Sequence, residues 1–179
     1  MPFWRDATGQ DPKRSYRFLL RIPQTGIKSF TIQSCKKPAL KFKSTILNYL
    51  GHMFRYLGPA EWTPIDVTLV DCAGNEDVSL AIAKLIQNSG YRFPLSENDK
   101  SSISKREATQ ALGTVTIDQL GAGNADEDTP IESWVLHNAQ LAEVDFGSLK
   151  YEDEKLVEIK INLVYDWAEI QVNGQRIWT

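Results

Sequence analysis

The chain has 179 residues, 42% of them hydrophobic, which is enough for one good core and makes a single domain over 1–179 the expectation. Its 20 basic and 23 acidic residues give a formal net charge of −3, which argues against a dedicated nucleic-acid binder. No run of 18 apolar residues is present to cross a membrane as a helix, and the opening MPFWRDATGQDPKR lacks the apolar core of a signal peptide, which speaks against a Sec-dependent secreted enzyme.

Residues 1–14 are polar with two prolines and read as an N-terminal arm. From Ser15 to Ile22, Tyr16, Phe18, Leu20 and Ile22 alternate with Arg17, Leu19 and Arg21, the pattern of a half-buried strand. Phe30 to Gln33 is a shorter strand. Lys36, Lys37, Lys41 and Lys43 form a basic patch interrupted by Pro38, read as a charged rim that meets an acidic one on a neighbouring subunit. Leu40 to Leu57 holds two apolar stretches around Asn48-Tyr49-Leu50-Gly51, a long hairpin with an exposed tip, ended by Gly58-Pro59. Ile46, Tyr49, Leu50, Met53, Phe54 and Tyr56 would lie exposed on it, an apolar patch of the kind that marks an interaction site.

Ile65 to Asp71 is a strand with Ile65, Val67 and Leu69 on one face. Asn75 is the expected N-cap of the one clear helix, with Glu76 and Asp77 in its first turn, an apolar stripe at Val78, Ile82, Leu85 and Ile86, and Gly90 as its stop. The serine-rich stretch 91–113 reads as a surface loop. Gly113 to Leu120 is a strand with Val115 and Ile117 inward, and Asp126, Glu127 and Asp128 mark an acidic loop over 121–130. Trp134 to Phe146 reads as one strand, bulged where its alternation breaks near Leu141, and a turn at Gly147 leads to Lys150–Glu154.

From Leu156 to Ile170 the alternation is sustained: Val157, Ile159, Ile161, Leu163, Tyr165 and Trp167 face one way, Glu158, Lys160, Asn162 and Asp166 the other. Straight, this run would reach roughly 50 Å, against a usual strand of about 17–20 Å and a radius of gyration near 16 Å for a chain of this size. It must bend sharply or belong to a sheet larger than one subunit, and the latter points to assembly. A tail, 171–179, carries an Asn173-Gly174 turn. About seven strands and one helix make a predominantly β α+β domain, an antiparallel barrel or sandwich.

Chemistry is harder to find. His52 and His137 are far apart and outside any metal-binding spacing. Gly121-Ala122-Gly123 begins like a dinucleotide loop, but Asp126 stands where the third glycine belongs. The acidic runs Asp126–Asp128 and Glu152–Glu154 lack the alternating ligands of calcium loops and read as solvated. Cys35 and Cys72 are too few for a disulfide scaffold or zinc site and read as free thiols; a disulfide within or between subunits is the alternative outside a reducing cytoplasm. No catalytic, cofactor-binding or metal-binding residue is expected, and the chain is read as no enzyme.

Two stretches together resemble the tail tube proteins of contractile-tailed (myovirus) bacteriophages. The first is Glu61-Trp62-Thr63-Pro64-Ile65-Asp66-Val67-Thr68-Leu69-Val70-Asp71, after a hairpin and before a helix. The second runs from Glu132-Ser133-Trp134-Val135-Leu136 through Phe146-Gly147-Ser148-Leu149-Lys150-Tyr151 to a final strand ending near Tyr165-Asp166. Trp62, Pro64, Asp71, Trp134, Tyr165 and Asp166 match the family pattern; 91–113 and 171–179 depart from it. The resemblance implies a barrel or sandwich subunit flanked by a helix, hexameric rings stacked into a tube, and a lumen through which DNA passes without specific binding. It implies as partners further copies of the chain, a tail sheath protein, a tape measure protein, a baseplate tube initiator and a tail terminator. It places the protein in the virion, assembled in the host cytoplasm, with no membrane partner and with the hairpin bridging stacked rings. A tube initiator or the tube of a related injection machine, such as type VI secretion, shares this pattern. A small-ligand-binding β-barrel or an enzyme is the alternative of a different class; an enzyme would show convergent titratable residues in or beside a pocket.

Overall fold

The computed structural model describes residues 12–74, 77–95, 102–121, 130–152 and 154–177. Where apolar residues recur at every second position, the chain forms strands that pack one face inward. β1 (Phe18–Arg21) pairs with β6 (Val115–Gln119), β6 with β7 (Glu132–His137), β7 with β10 (Trp167–Val172), and β10 with β11 (Gln175–Ile177). A second sheet orders β2 (Ile32–Cys35), β5 (Ile65–Val70), β9 (Glu158–Val164) and β8 (Gln140–Asp145). All pairings are antiparallel. β3 (Ala39–Tyr49) and β4 (His52–Thr63) form a separate two-stranded ribbon.

The core lies between the two larger sheets. Leu20, Val115, Ile117, Leu136 and Ala168 meet Ile65, Val67, Leu69, Ile159, Ile161 and Leu163 from the facing sheet in one cluster. Helix α1 (Val78–Asn88) adds Val78, Ile82 and Leu85, spaced four and three residues apart on one face. A side chain of this kind fully buried is worth about 1.5–3 kcal/mol relative to exposure. The result is a predominantly β, sandwich-like α+β fold, as expected, though not a closed barrel.

Several local expectations are corrected. The N-cap of α1 is Asp77, whose carboxylate accepts from the Leu80 N–H at 2.8 Å, two residues later than Asn75, which with Glu76 lies outside the described residues. The stretch 91–113 is not all loop. It holds a second helix, α2 (Lys105–Leu112), whose N-cap Ser104 accepts from the Glu107 N–H at 3.2 Å and donates its hydroxyl to the Glu107 carboxylate at 3.1 Å; the S-x-x-E spacing was visible in the sequence. Only Ala108 and Leu112 of α2 are buried, too short a stripe to register as periodicity. The segment 171–179 is not a mere tail: 171–172 finish β10, and Asn173-Gly174, both at positive φ, turn the chain into β11. The acidic loop around Asp126–Asp128 and most of the N-terminal arm lie outside the described residues.

The long alternating run bends. β9 ends at Val164 and β10 begins at Trp167 in the opposite sheet, so neither strand is unusually long. Trp134–Phe146 breaks at the same level, β7 ending at His137 and β8 starting at Gln140, with Asn138 at positive φ between them. The β8 bulge lies between Leu141 and Glu143, where the alternation breaks. Bending shifts the phase: Ile159, Ile161 and Leu163 are buried as expected, but Ala168, not Trp167, points inward, and Trp167 is 45% exposed.

Asn162 Nδ2 donates to Asp66 Oδ1 at 2.7 Å on the outer face of the second sheet. Ile161→Asp should therefore cost about 3–5 kcal/mol by burying an unpaired charge, whereas Asn162→Asp should cost about 1 kcal/mol or less. Thermal melts of the two variants check this, and the reverse ranking would mean that the faces of β9 are misassigned.

Candidate functional site

Two features stand out against the finished sandwich: the hairpin that leaves it and the corner that holds the hairpin's root. β3 and β4 pair from Ala39↔Thr63 to Tyr49↔His52, a ribbon of about 35 Å at strand rise. Its register is continuous except between Phe42 and Ser44, where Gly58 and Pro59 on β4 face Lys43 alone. Gly58-Pro59 therefore does not end the hairpin but forms a bulge within it, a device that increases local twist. At the tip, Leu50 (φ +48) and Gly51 (φ +79) form a two-residue connection of the type that matches strand twist.

The register sorts the side chains. Leu47, Tyr49, Phe54 and Tyr56 share one face with Thr45 and His52. Ile46, Met53 and Leu57 share the other with Ser44, Asn48 and Arg55. All seven apolar residues are exposed, as is Phe42 nearer the root. Ile46, Tyr49, Leu50, Met53, Phe54 and Tyr56, singled out in the sequence, thus belong to both faces and the tip, and Leu47 and Leu57 extend the patch. Leu50 is 81% exposed in a left-handed conformation, which costs a residue with a Cβ about 1–2 kcal/mol. Asparagine or glycine would relieve that strain.

The root is fastened at the corner. Tyr165 Oη donates to the Thr63 carbonyl at 2.9 Å, and Thr63 Oγ1 donates to the Ala39 carbonyl at 2.9 Å, closing the base of the ribbon. Trp62 packs on the Tyr165 ring with centroids 5.9 Å apart, and Pro64, which has no N–H to donate, separates β4 from β5. The Asp166 N–H donates to the His137 carbonyl at 3.0 Å; its carboxylate accepts from Asn138 Nδ2 and Lys105 Nζ, each as close as 2.7 Å, which lowers its pKa. His137 stacks on Trp167 with centroids 4.8 Å apart. Trp62, Pro64, Tyr165 and Asp166 are thus brought together, whereas Asp71 and Trp134 serve elsewhere. Asp71 accepts from the Ser79 N–H and hydroxyl at 3.3 and 2.9 Å, tying the end of β5 to α1.

Trp134 Nε1 donates to Glu132 Oε1 at 2.7 Å. Glu132 also receives Lys37 Nζ at 2.7 Å and Lys13 Nζ, so one buried carboxylate joins the first sheet, the approach to the hairpin and the last residues of the arm. Burial pushes this carboxyl up, but the hydrogen bonds from Lys13, Lys37 and Trp134 outweigh it and hold its pKa at about 2. Lys36 and Lys43 likewise find partners within the subunit, Asp66 at 4.0 Å and Glu61 at 3.1 Å. Three of the four lysines of the basic patch thus have acidic partners within the subunit, two of these pairs lying exposed at the surface.

Both cysteines are free and half-buried, and burial pushes the Cys35 thiol up to about 12. Among the described residues, no group of three His, Cys, Asp or Glu could hold a metal, and no helix is long and apolar enough to cross a membrane.

No protein-family model matches the chain, and no curated protein matches it in sequence. Solved structures share its fold. A chain of the anti-feeding prophage baseplate superposes with a TM-score of 0.63 at 11% identity, covering 93% of this chain and 99% of that one. A chain of the cap that terminates the anti-feeding prophage tube gives 0.63 at 17%, covering 94% and 97%. A chain of the sheath–tube complex of an extracellular contractile injection system, PVC, in its extended state gives 0.62 at 15%, covering 91% and 93%. At these identities the likeness is one of fold: this chain has the architecture of components of contractile injection systems.

The Glu132 cluster sets a pH dependence. With its folded pKa depressed from 4.5 to about 2, the carboxylate's contribution is complete above the unfolded value and is lost as pH falls through that window. Glu132→Gln should cost on the order of 2–3 kcal/mol at pH 7, and the gap to the parent should close between about pH 4.5 and pH 2. Urea titrations across that range provide the check. Non-reducing electrophoresis of the assembled protein should show monomers; a ladder that collapses with reductant would overturn the free-thiol reading of Cys35 and Cys72.

Proposed function

We propose that this protein is a structural subunit of the inner tube of a contractile apparatus, closing into hexameric rings that stack into a hollow conduit inside a sheath. The observation that carries this reading is the hairpin. A two-stranded ribbon with apolar residues on both faces is unstable in water unless something covers it, and in this chain the sandwich leaves it uncovered. Stacked copies of the same chain would cover it. The fold supports the reading, since the chains it resembles come from baseplate, cap and sheath–tube assemblies of contractile machines.

Within this class, the sequence motifs favour the tail tube of a contractile bacteriophage, whose cargo is the genome. The fold likenesses to chains of extracellular injection systems favour a second reading, a tube, cap or initiator ring of such a system. Both require the same behaviour of the subunit: ring closure, stacking, and contacts to a sheath and to terminating and initiating rings. An acidic chain suits a lumen that must not retain nucleic acid, because cationic walls would bind phosphates. Catalysis has no place in either reading.

Deleting 45–55 and closing the gap with a short glycine linker tests the role of the hairpin. The variant should fold with a near-parental melt and still form rings, but fail to elongate into tubes under negative-stain microscopy. A variant that unfolds would place the hairpin in the core, and normal tubes would remove it from the stacking contact.

A further inference from the structure

A contact that repeats along a stack is head-to-tail, so the surface that donates must differ from the surface that accepts. The donor argued above leaves the second sheet at a defined end. Its root at Thr63 lies beside Tyr165, and β5 starts there with Ile65 opposite Leu163. β5 then runs to the other end of the sheet, where Val70 pairs with Glu158 and the Asp71 N–H donates to the Val157 carbonyl at 2.9 Å. The loop 146–157, between β8 and β9, leaves from that far end, about 20 Å of strand away.

The loop is unusual for a connection in water. Leu149 is 84% exposed, and Phe146, Tyr151 and Leu156 are exposed with it. Leu149, Tyr151 and Leu156 stand around an open cleft of about 660 Å³ whose floor is the start of β9. The entry to the loop is tightly apposed to β9: Gly147 has φ +82, its N–H donates to Asp145 Oδ1 at 2.9 Å, and an added Cβ would sit 2.5 Å from the Glu158 carbonyl. Charge also differs between the two ends. By sequence, 145–158 carries five acids and two lysines, although Lys150, Lys155 and Lys160 line the cleft together with Asp145 and Glu158, whereas the hairpin tip 45–57 carries Arg55 and no acid.

Resting on the tube reading, we propose that the 146–157 loop is the acceptor for the hairpin tip of the next copy of this chain. Subunits stacked in one orientation bring the root end of one sheet toward the loop end of the next. Tyr49, Leu50 and Met53 then enter the cleft beside Leu149 and Leu156, and Arg55 faces the acidic segment. This contact supplies what the strained, exposed Leu50 lacks in the isolated subunit.

The test uses the full chain with Cys35→Ser and Cys72→Ser, adding Leu50→Cys and Leu149→Cys together or singly. On oxidation of assembled tubes, the double variant should give a ladder of covalent multimers, whereas each single variant, with one thiol per chain, can go no further than a dimer. A separate variant, Leu149→Asp with Leu156→Asp, changes only exposed side chains; it should keep the parental melt and form rings that do not elongate. Tubes that form but give no ladder, or an aspartate variant that elongates normally, overturn the acceptor assignment and leave the tube reading intact. Parent protein that forms neither rings nor tubes at any concentration overturns the tube reading and the acceptor with it.

Discussion

The structure depends on one corner. Two long segments, 132–145 and 158–172, lie antiparallel to each other as a ribbon too long to remain flat within a domain of this size. Both break at the same level, so each contributes one strand to each sheet, and the sandwich closes around the Leu136, Ala139, Leu163 and Ala168 side chains. A corner of this kind removes backbone groups from the ladder, and they must find other partners. Here the Asp166 N–H takes the His137 carbonyl, while Asn138 and Lys105 satisfy the Asp166 carboxylate. Tyr165 reaches from the same corner to the root of the hairpin. Core closure, the docking of α2 through Lys105 and the anchoring of the projecting ribbon therefore share a few neighbouring residues.

The hairpin follows a different physical logic from the rest of the chain. The sandwich packs a contiguous apolar core of its own, and its buried charges are paired: Asp118 with Arg21 at 3.0 Å, Glu132 with Lys37 at 2.7 Å and with Lys13. Beyond its root, where Trp62 and Thr63 meet Tyr165, the ribbon pairs its backbone from strand to strand and leaves its large apolar side chains exposed. Its exposed aromatics on two faces, its leucine in a left-handed turn and its bulge at Gly58-Pro59 are local costs with no local return. In the tube proposed above, contacts with stacked copies would offset these costs.

Periodicity determined much of this in advance. Period-two runs located the buried faces of β5, β6 and β9, because a strand with one side in a core must alternate whatever it pairs with. A period near 3.6 located α1, and the hairpin and its exposed apolar residues were legible because two apolar stretches around a tight turn have nowhere to bury both faces. The tertiary structure decided the rest. Where the long run would bend could not be read, since the strand pattern continues through Tyr165-Asp166 and only partners from distant segments make the break favourable. For the same reason Trp167 was assigned inward when Ala168 is the buried residue. Helix α2 buries just Ala108 and Leu112, so its signal lay in the Ser104–Glu107 cap and not in periodicity. The convergence of Lys13, Lys37 and Trp134 on Glu132, across as many as 119 residues of sequence, is set wholly by folding. Local patterns record which face of an element is apolar; which elements face one another, and which charges meet, is a property of the closed sandwich alone.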